Sequence, residues 1–114
     1  MNPLNEKLRV VACDNPQYGI QCAEYKVFQF DHPDHIMLEH FHFQRGSEAY
    51  NGVNGITNEV LLAIVQDRLK GYQAGLFACR ENALALTKIE EALMWLHYRS
   101  RDRLARGVEG TDKA

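Results

Sequence analysis

Several features that would assign a function at once are missing from this sequence. The net charge is only −2, and no apolar run is long enough to span a bilayer, so composition indicates neither a nucleic-acid nor a membrane partner. The N-terminal residues lack the apolar core of a signal peptide, which favours a cytoplasmic protein. The three cysteines are an odd number without CxxC spacing, so we expect reduced structural thiols rather than a disulfide framework or a zinc knuckle.

Catalytic motifs are absent as well. The sequence contains no GxSxG nucleophile turn and no GxxxxGK[ST] phosphate-binding loop. Glu90 and Glu91 are adjacent on a predicted helix, so their carboxylates point in different directions and do not form an acid–base pair. We therefore predict no catalytic residue and no enzymatic activity.

The histidines give a weak metal signal. His40 and His42 share one face of a predicted strand, while His32 and His35 lie in the turn before it. The HxH pair lacks a specific third ligand, and hairpin turns are often polar for backbone reasons alone. Surface or cross-strand histidines are the favoured interpretation, and we expect neither a metal nor another cofactor.

The first 50 residues contain segments in which apolar and polar residues alternate. Residues 25–30 and 36–44 are rich in aromatic and branched side chains at period two, and a turn sequence, DHPDH, separates them. A third strand at residues 8–13 is also predicted. Because a chain of 114 residues is one domain with a modest core, we expect this β region to pack with the rest and the protein to oligomerise.

Residues 51–114 change to a helical period. Thr57 is a good N-cap for a first helix that ends at Gly71 to Gly75, and a second helix is predicted from Cys79 or Arg80 to Arg106. The predicted lengths are roughly 22 Å and ~40 Å, so the second helix overhangs a hairpin pair. The predicted fold is α+β: a small antiparallel sheet of two to four strands, then a two-helix antiparallel hairpin with a C-terminal RGVEGT tail.

Arginines crowd the end of the second predicted helix. Arg99, Arg103 and Arg106 share one face at spacings of four and three, which suits a polyanion because guanidinium binds phosphate bidentately. A solvated face whose cations favour the helix dipole explains the same pattern. Nearby residues that stack on bases or hydrogen-bond to them favour the ligand interpretation: Tyr72, Asn82, Trp95 and Tyr98.

The string itself resembles a known family. Residues 51–111 read NGVNGITNEVLLAIVQDRLKGYQAGLFACRENALALTKIEEALMWLHYRSRDRLARGVEGT, with CRENALALTKIEEALMWL and RGVEGT as specific signatures. They closely resemble the helical hairpin domain shared by phage proteins that defeat Thoeris and CBASS immunity by sequestering cyclic nucleotides. The strands before it resemble the anti-Thoeris branch of that family.

The resemblance implies a nucleotide sponge in the host-cell cytoplasm. Such proteins bind a signalling nucleotide without cleaving it. For the anti-Thoeris branch this is a glycocyclic ADP-ribose isomer made by TIR-domain proteins, and some members hold CBASS cyclic di- or trinucleotides in a separate pocket. Family members form dimers that build into hexamers, with pockets at subunit junctions. We expect neither a membrane nor a long nucleic acid as a partner.

The resemblance also assigns residues to a ligand pocket. Tyr72 corresponds to the aromatic platform for adenine, at a position where phenylalanine is common, so its hydroxyl needs a partner of its own. Asn82 corresponds to the asparagine of the CREN segment. Arg99 and Arg103 correspond to the pair that grips the pyrophosphate. Arg45 is the one arginine in the strand-to-hairpin connection, where the anti-Thoeris pocket takes a further arginine.

Arg106 and Thr111 are the weaker candidates, for a second pocket where several subunits meet. Two other functions stay open at this point. One is a phosphodiesterase that destroys the same signal, and the other is a hairpin that clamps a nucleic-acid backbone with its arginines, which would bind with steep salt dependence.

Overall fold

A computed structural model describes residues 7–14, 22–31 and 33–105. The element order is β1 (Leu8–Ala12), β2 (Glu24–Gln29), β3 (Ile36–His42), α1 (Glu48–Asn51), α2 (Asn58–Gln73) and α3 (Arg80–Ala105). The predicted α+β class, with a three-stranded antiparallel sheet ahead of a helical hairpin, is confirmed. Arg106 and Thr111, with the RGVEGT tail, lie outside the described residues.

The sheet has the order β1-β2-β3, with both pairs antiparallel. Aromatic and branched residues, which pack well on a pleated surface, make up half of β2, namely Tyr25, Val27 and Phe28. The register is interrupted by a bulge between Val27 and Phe28. His35, just before β3, has a positive φ of 45° and its ring stacks on Phe30 with centroids 4.6 Å apart. The turn therefore carries its own packing contact.

A short connection follows the sheet. Phe43 forms a parallel bridge with Ile56, and a Cβ at Gly55 would collide with the backbone of His42 and Phe43, so this close approach requires glycine. Between Phe43 and Gly55 the chain forms α1, a four-residue helix that was not predicted. Its N-cap is Ser47, a buried residue whose hydroxyl accepts a hydrogen bond from the backbone N–H of Tyr50.

The two long helices pack against each other. The predicted cap is confirmed, since the Thr57 hydroxyl accepts from the N–H of Val60 over 3.1 Å. The α3 stripe is also confirmed: Leu93 is buried and its neighbours on the stripe are half-buried, namely Leu86, Ile89 and Leu96. The α2 helix has 16 residues and α3 has 26, so α3 is longer by about 15 Å.

Contacts divide the chain between Ile56 and Thr57. The first unit contains the sheet and α1, and the second contains α2 and α3. Among the described residues, only Ala23 and Leu93 are buried apolar side chains. None of the helices in the described part combines the length and apolar character needed to cross a membrane.

Candidate functional site

Tyr72 lies in the last turn of α2 and is held by two neighbours. Its hydroxyl accepts a hydrogen bond of 2.7 Å from Nη2 of Arg68, whose guanidinium carbon lies 5.5 Å from the ring centroid. The Phe77 ring approaches at 5.6 Å with an interplanar angle of 63°. The Tyr72 hydroxyl needed a hydrogen-bond partner, and Arg68 of the same helix provides it.

Asn82 lies in the first turn of α3. Its side-chain Nδ2 donates to the carbonyl of Phe77 over 3.1 Å, and its backbone N–H donates to Sγ of Cys79. The side-chain bond uses one of the two N–H groups of the amide. Phe77 thus contacts both predicted residues, and the structure brings Tyr72 and Asn82 together at the turn of the hairpin. We call Tyr72, Phe77 and Asn82 the turn cluster.

Two residues of this region were missed from sequence. Arg68 precedes Tyr72 by four residues, a spacing that puts two side chains on one helix face and could have identified the pair. Phe77 lies between the helices with 69% of its surface exposed. Nothing in the spacing of GLFAC shows that this aromatic turns back toward Tyr72, so sequence alone gave no signal for it.

Arg99 and Arg103 lie in the last turns of α3, four residues apart on one face. Arg99 is exposed and Arg103 is half-buried. Two exposed aromatics lie just before them, with the rings of Trp95 and Tyr98 in edge contact at 5.9 Å. The helix rises about 25 Å between positions 82 and 99 at 1.5 Å per residue, so one chain does not bring these arginines to the turn cluster.

Arg45 lies in the first unit, where its guanidinium already has a partner. Its Nη2 contacts Oδ2 of Asp14 at 3.0 Å, and its backbone exchanges two hydrogen bonds with the side chain of Asn54. Asp14 also accepts from the backbone N–H groups of Ala23 and Glu24, and these bonds hold the pKa of its carboxyl below the ordinary value. The structure thus gives Arg45 a bond that ties the end of β1 to the connection after β3.

The predicted contact residues offer three kinds of group. Tyr72 offers an aromatic face, Asn82 an amide, and the arginines fixed positive charge. Groups of these types suit contacts to a nucleobase and to phosphates, and none of them is a general base or nucleophile at neutral pH.

The fold and site define a class: an α+β protein whose helical hairpin carries aromatic and amide groups at its turn and arginines at its far end. Residues 24–100 match the family model of the Acb2/Tad1 hairpin domain, and the chain belongs to this family. The match begins at the start of β2, well before residue 51. The resemblance stated from sequence is confirmed.

One curated relative is the protein "Thoeris anti-defense 1" of Bacillus phage SBSphiJ7. The chain is 55% identical to it over 69 residues, which cover 60% of this chain and 49% of the relative. The chain therefore spans about half the length of the curated relative that it matches.

Proposed function

We propose that this chain is a phage anti-Thoeris protein that binds and sequesters glycocyclic ADP-ribose without cleaving it, with CBASS cyclic di- and trinucleotides as further ligands. One observation carries the proposal: the same hairpin presents the turn cluster at one end and the arginines Arg99 and Arg103 at the other. Membership of the Acb2/Tad1 family and 55% identity to an anti-Thoeris protein support it.

The two groups suit two parts of such a ligand. An adenine stacks on the face of Tyr72 that the Arg68 guanidinium does not cover, and Asn82 hydrogen-bonds to its edge. Base–aromatic stacking contributes about 1–3 kcal/mol, and hydrogen bonds to a charged phosphate about 1.5–3 kcal/mol each. Arg99 and Arg103 supply those charged bonds at the pyrophosphate.

The pocket in this proposal forms between copies of the chain. The arginine pair is about 25 Å along α3 from Asn82, and a single small cyclic nucleotide does not span that distance. A second copy running antiparallel brings its arginines to the turn cluster of the first. Large exposed apolar side chains on the hairpin support self-association: Leu76 is 99% exposed and Leu104 is 68% exposed. The assembly we propose is a dimer that builds into a hexamer.

Sequestration rather than hydrolysis follows from the residues that make the contacts. The proposed pocket is built from aromatic, amide and guanidinium groups, which hold a ligand but offer no general base. We place this binding in the cytoplasm of the infected host cell, where the nucleotide signal is made, with no membrane and no long nucleic acid as partner.

Recovery of the ligand separates a sponge from a phosphodiesterase. The protein is incubated with an equimolar amount of glycocyclic ADP-ribose, the free fraction is removed by filtration, and the complex is denatured by heat. We expect chromatography to return the bound nucleotide intact after hours of incubation. An Arg99→Ala variant, treated in the same way, is expected to retain less nucleotide than the wild type before denaturation. Consumption of the nucleotide, or failure of the wild type to retain it, would contradict the proposal.

A further inference from the structure

Three side chains of metal-ligand type converge where β2 begins and β3 ends. Ligand atoms of Glu24, His40 and His42 all lie within 4.8 Å of one another. The Nε2 of His40 is 2.6 Å from Oε2 of Glu24, and the His40 and His42 rings have centroids 4.4 Å apart. The His40 and Glu24 side chains are 31% and 26% exposed, so solvent reaches the cluster.

The strand register explains why this cluster is invisible in the sequence. Glu24 pairs with His42 across the sheet, and His40 is two residues earlier on the same face of β3. The HxH pair by itself lacks a third ligand, which is why the sequence favoured surface histidines. The antiparallel pairing of β2 with β3 supplies the missing carboxylate from 16 residues away.

We propose that Glu24, His40 and His42 form a binding site for a divalent transition metal ion, of which Zn²⁺ is the test case. Two imidazoles and a carboxylate are a donor set that suits Zn²⁺, and a water takes the fourth position in a tetrahedral site. In a tetrahedral site, zinc–ligand bonds of about 2.0–2.2 Å place ligand atoms roughly 3.3–3.6 Å apart. Partly exposed side chains reach that spacing by rotamer changes, with Glu24 exchanging its hydrogen bond to His40 for the ion.

The backbone beneath the cluster is fixed by bonds outside it. The N–H of Glu24 donates to Oδ1 of Asp14 over 3.0 Å, and the N–H of Phe43 donates to the carbonyl of Ala23 over 2.6 Å. These bonds hold the two strand ends in register, so a bound ion needs to order only the three side chains and not the backbone. Lys26 pairs with His40 across the sheet and places a positive charge near the site, so its effect on a bound cation is unfavourable.

Calorimetric titration of the untagged full chain with ZnCl₂ at pH 7.5 tests the site. We expect one Zn²⁺ per chain, with at least a tenfold weaker Kd in His42→Ala and in Glu24→Gln. His97→Gln, which removes an exposed histidine of α3, is the matched control and should bind as the wild type does. Lys26→Gln should bind more tightly, because it removes the nearby charge.

Unchanged stoichiometry and affinity in both His42→Ala and Glu24→Gln would overturn the proposal, because the ion would then be held elsewhere, as by a cysteine thiolate. An equal loss in His97→Gln would overturn it too. Circular dichroism establishes that each variant is folded. As a second readout, the same Zn²⁺ concentration should raise the Tm of the wild type and of His97→Gln by more than it raises that of Glu24→Gln.

Discussion

The Tyr72 hydroxyl accepts a 2.7 Å hydrogen bond from Arg68, one helical turn earlier, and the same guanidinium lies against the Tyr72 ring. The tyrosine therefore keeps the aromatic face of a phenylalanine while its polar end is satisfied inside α2. The ring is oriented before any ligand arrives, which lowers the entropy that binding has to overcome.

Substitution of Tyr72 separates the ring from the hydroxyl. Tyr72→Ala removes the stacking face and should weaken glycocyclic ADP-ribose binding by about 5- to 150-fold, the equivalent of 1–3 kcal/mol. Tyr72→Phe keeps the face and should stay within about threefold of the wild type, since only the bond to Arg68 is lost. Isothermal titration measures both. A Phe variant as weak as the Ala variant would mean that the hydroxyl, not the ring, contacts the ligand.

Removal of a single arginine tests the phosphate contact. Arg99→Ala should weaken binding by about 10- to 150-fold, because a charge-assisted bond to phosphate is lost. Arg101→Ala removes the same charge from an exposed position off the shared face and is the matched control. Both variants should keep the wild-type Tm, since both side chains are exposed. Equal weakening by the two variants would indicate a nonspecific effect of net charge.

Local signals in the sequence predicted where the two long helices begin and end. They did not predict which side chains meet at the hairpin turn. The bounds of α2 and α3 follow from Thr57 and from the glycines of the hairpin turn, because caps act within a few residues. A single turn such as α1 produces no periodicity, so only its serine cap could have indicated it. The contact of Phe77 with Tyr72 depends on how the turn folds back, which no residue spacing specifies.

Leu93 tests the packing of the hairpin. It is the buried residue of α3, at 8% exposure, so Leu93→Ala should lower the free energy of unfolding by about 2–5 kcal/mol. Leu84→Ala, on the same helix at 48% exposure, loses less buried surface and should cost less. Urea unfolding followed by circular dichroism measures both. A larger loss for Leu84 would place the principal helix contact elsewhere.

The Asp14 carboxylate makes the stability of the first unit depend on pH. Its pKa is lowered mainly by hydrogen bonds from the N–H groups of Ala23 and Glu24, and further by Arg45. A lowered pKa in the folded state adds stability that is complete above the ordinary value of about 3.9 and is lost as the pH falls through the folded value. The hydrogen bond from His40 lowers the pKa of Glu24, which acts in the same direction.

Asp14→Asn should therefore have a lower Tm than the wild type at pH 7, and the difference should shrink below about pH 4. Thermal melts at pH 7, 5, 4 and 3 measure it. Asp67→Asn replaces an exposed aspartate of α2 and is the control, with a difference expected to be small throughout. A Tm difference for Asp14→Asn that stayed constant from pH 7 to pH 3 would show that the charge of Asp14 is not what stabilises the fold.

Mixed assemblies test whether the pocket is shared between copies. Tyr72→Ala and Arg99→Ala each disable one half of every pocket, so each variant alone should bind poorly. If a pocket takes its aromatic from one chain and its arginines from another, a mixed dimer contains one pocket with both halves intact and one with both removed. Co-expressed variants with different affinity tags, purified through both tags as dimers, should then bind about one ligand per two pockets at near wild-type affinity. If each pocket were built within a single chain, every pocket of the mixed dimer would carry one defect, and the doubly purified sample would bind no better than its parents. The separation of about 25 Å between Asn82 and Arg99 on α3 is why we expect the first result.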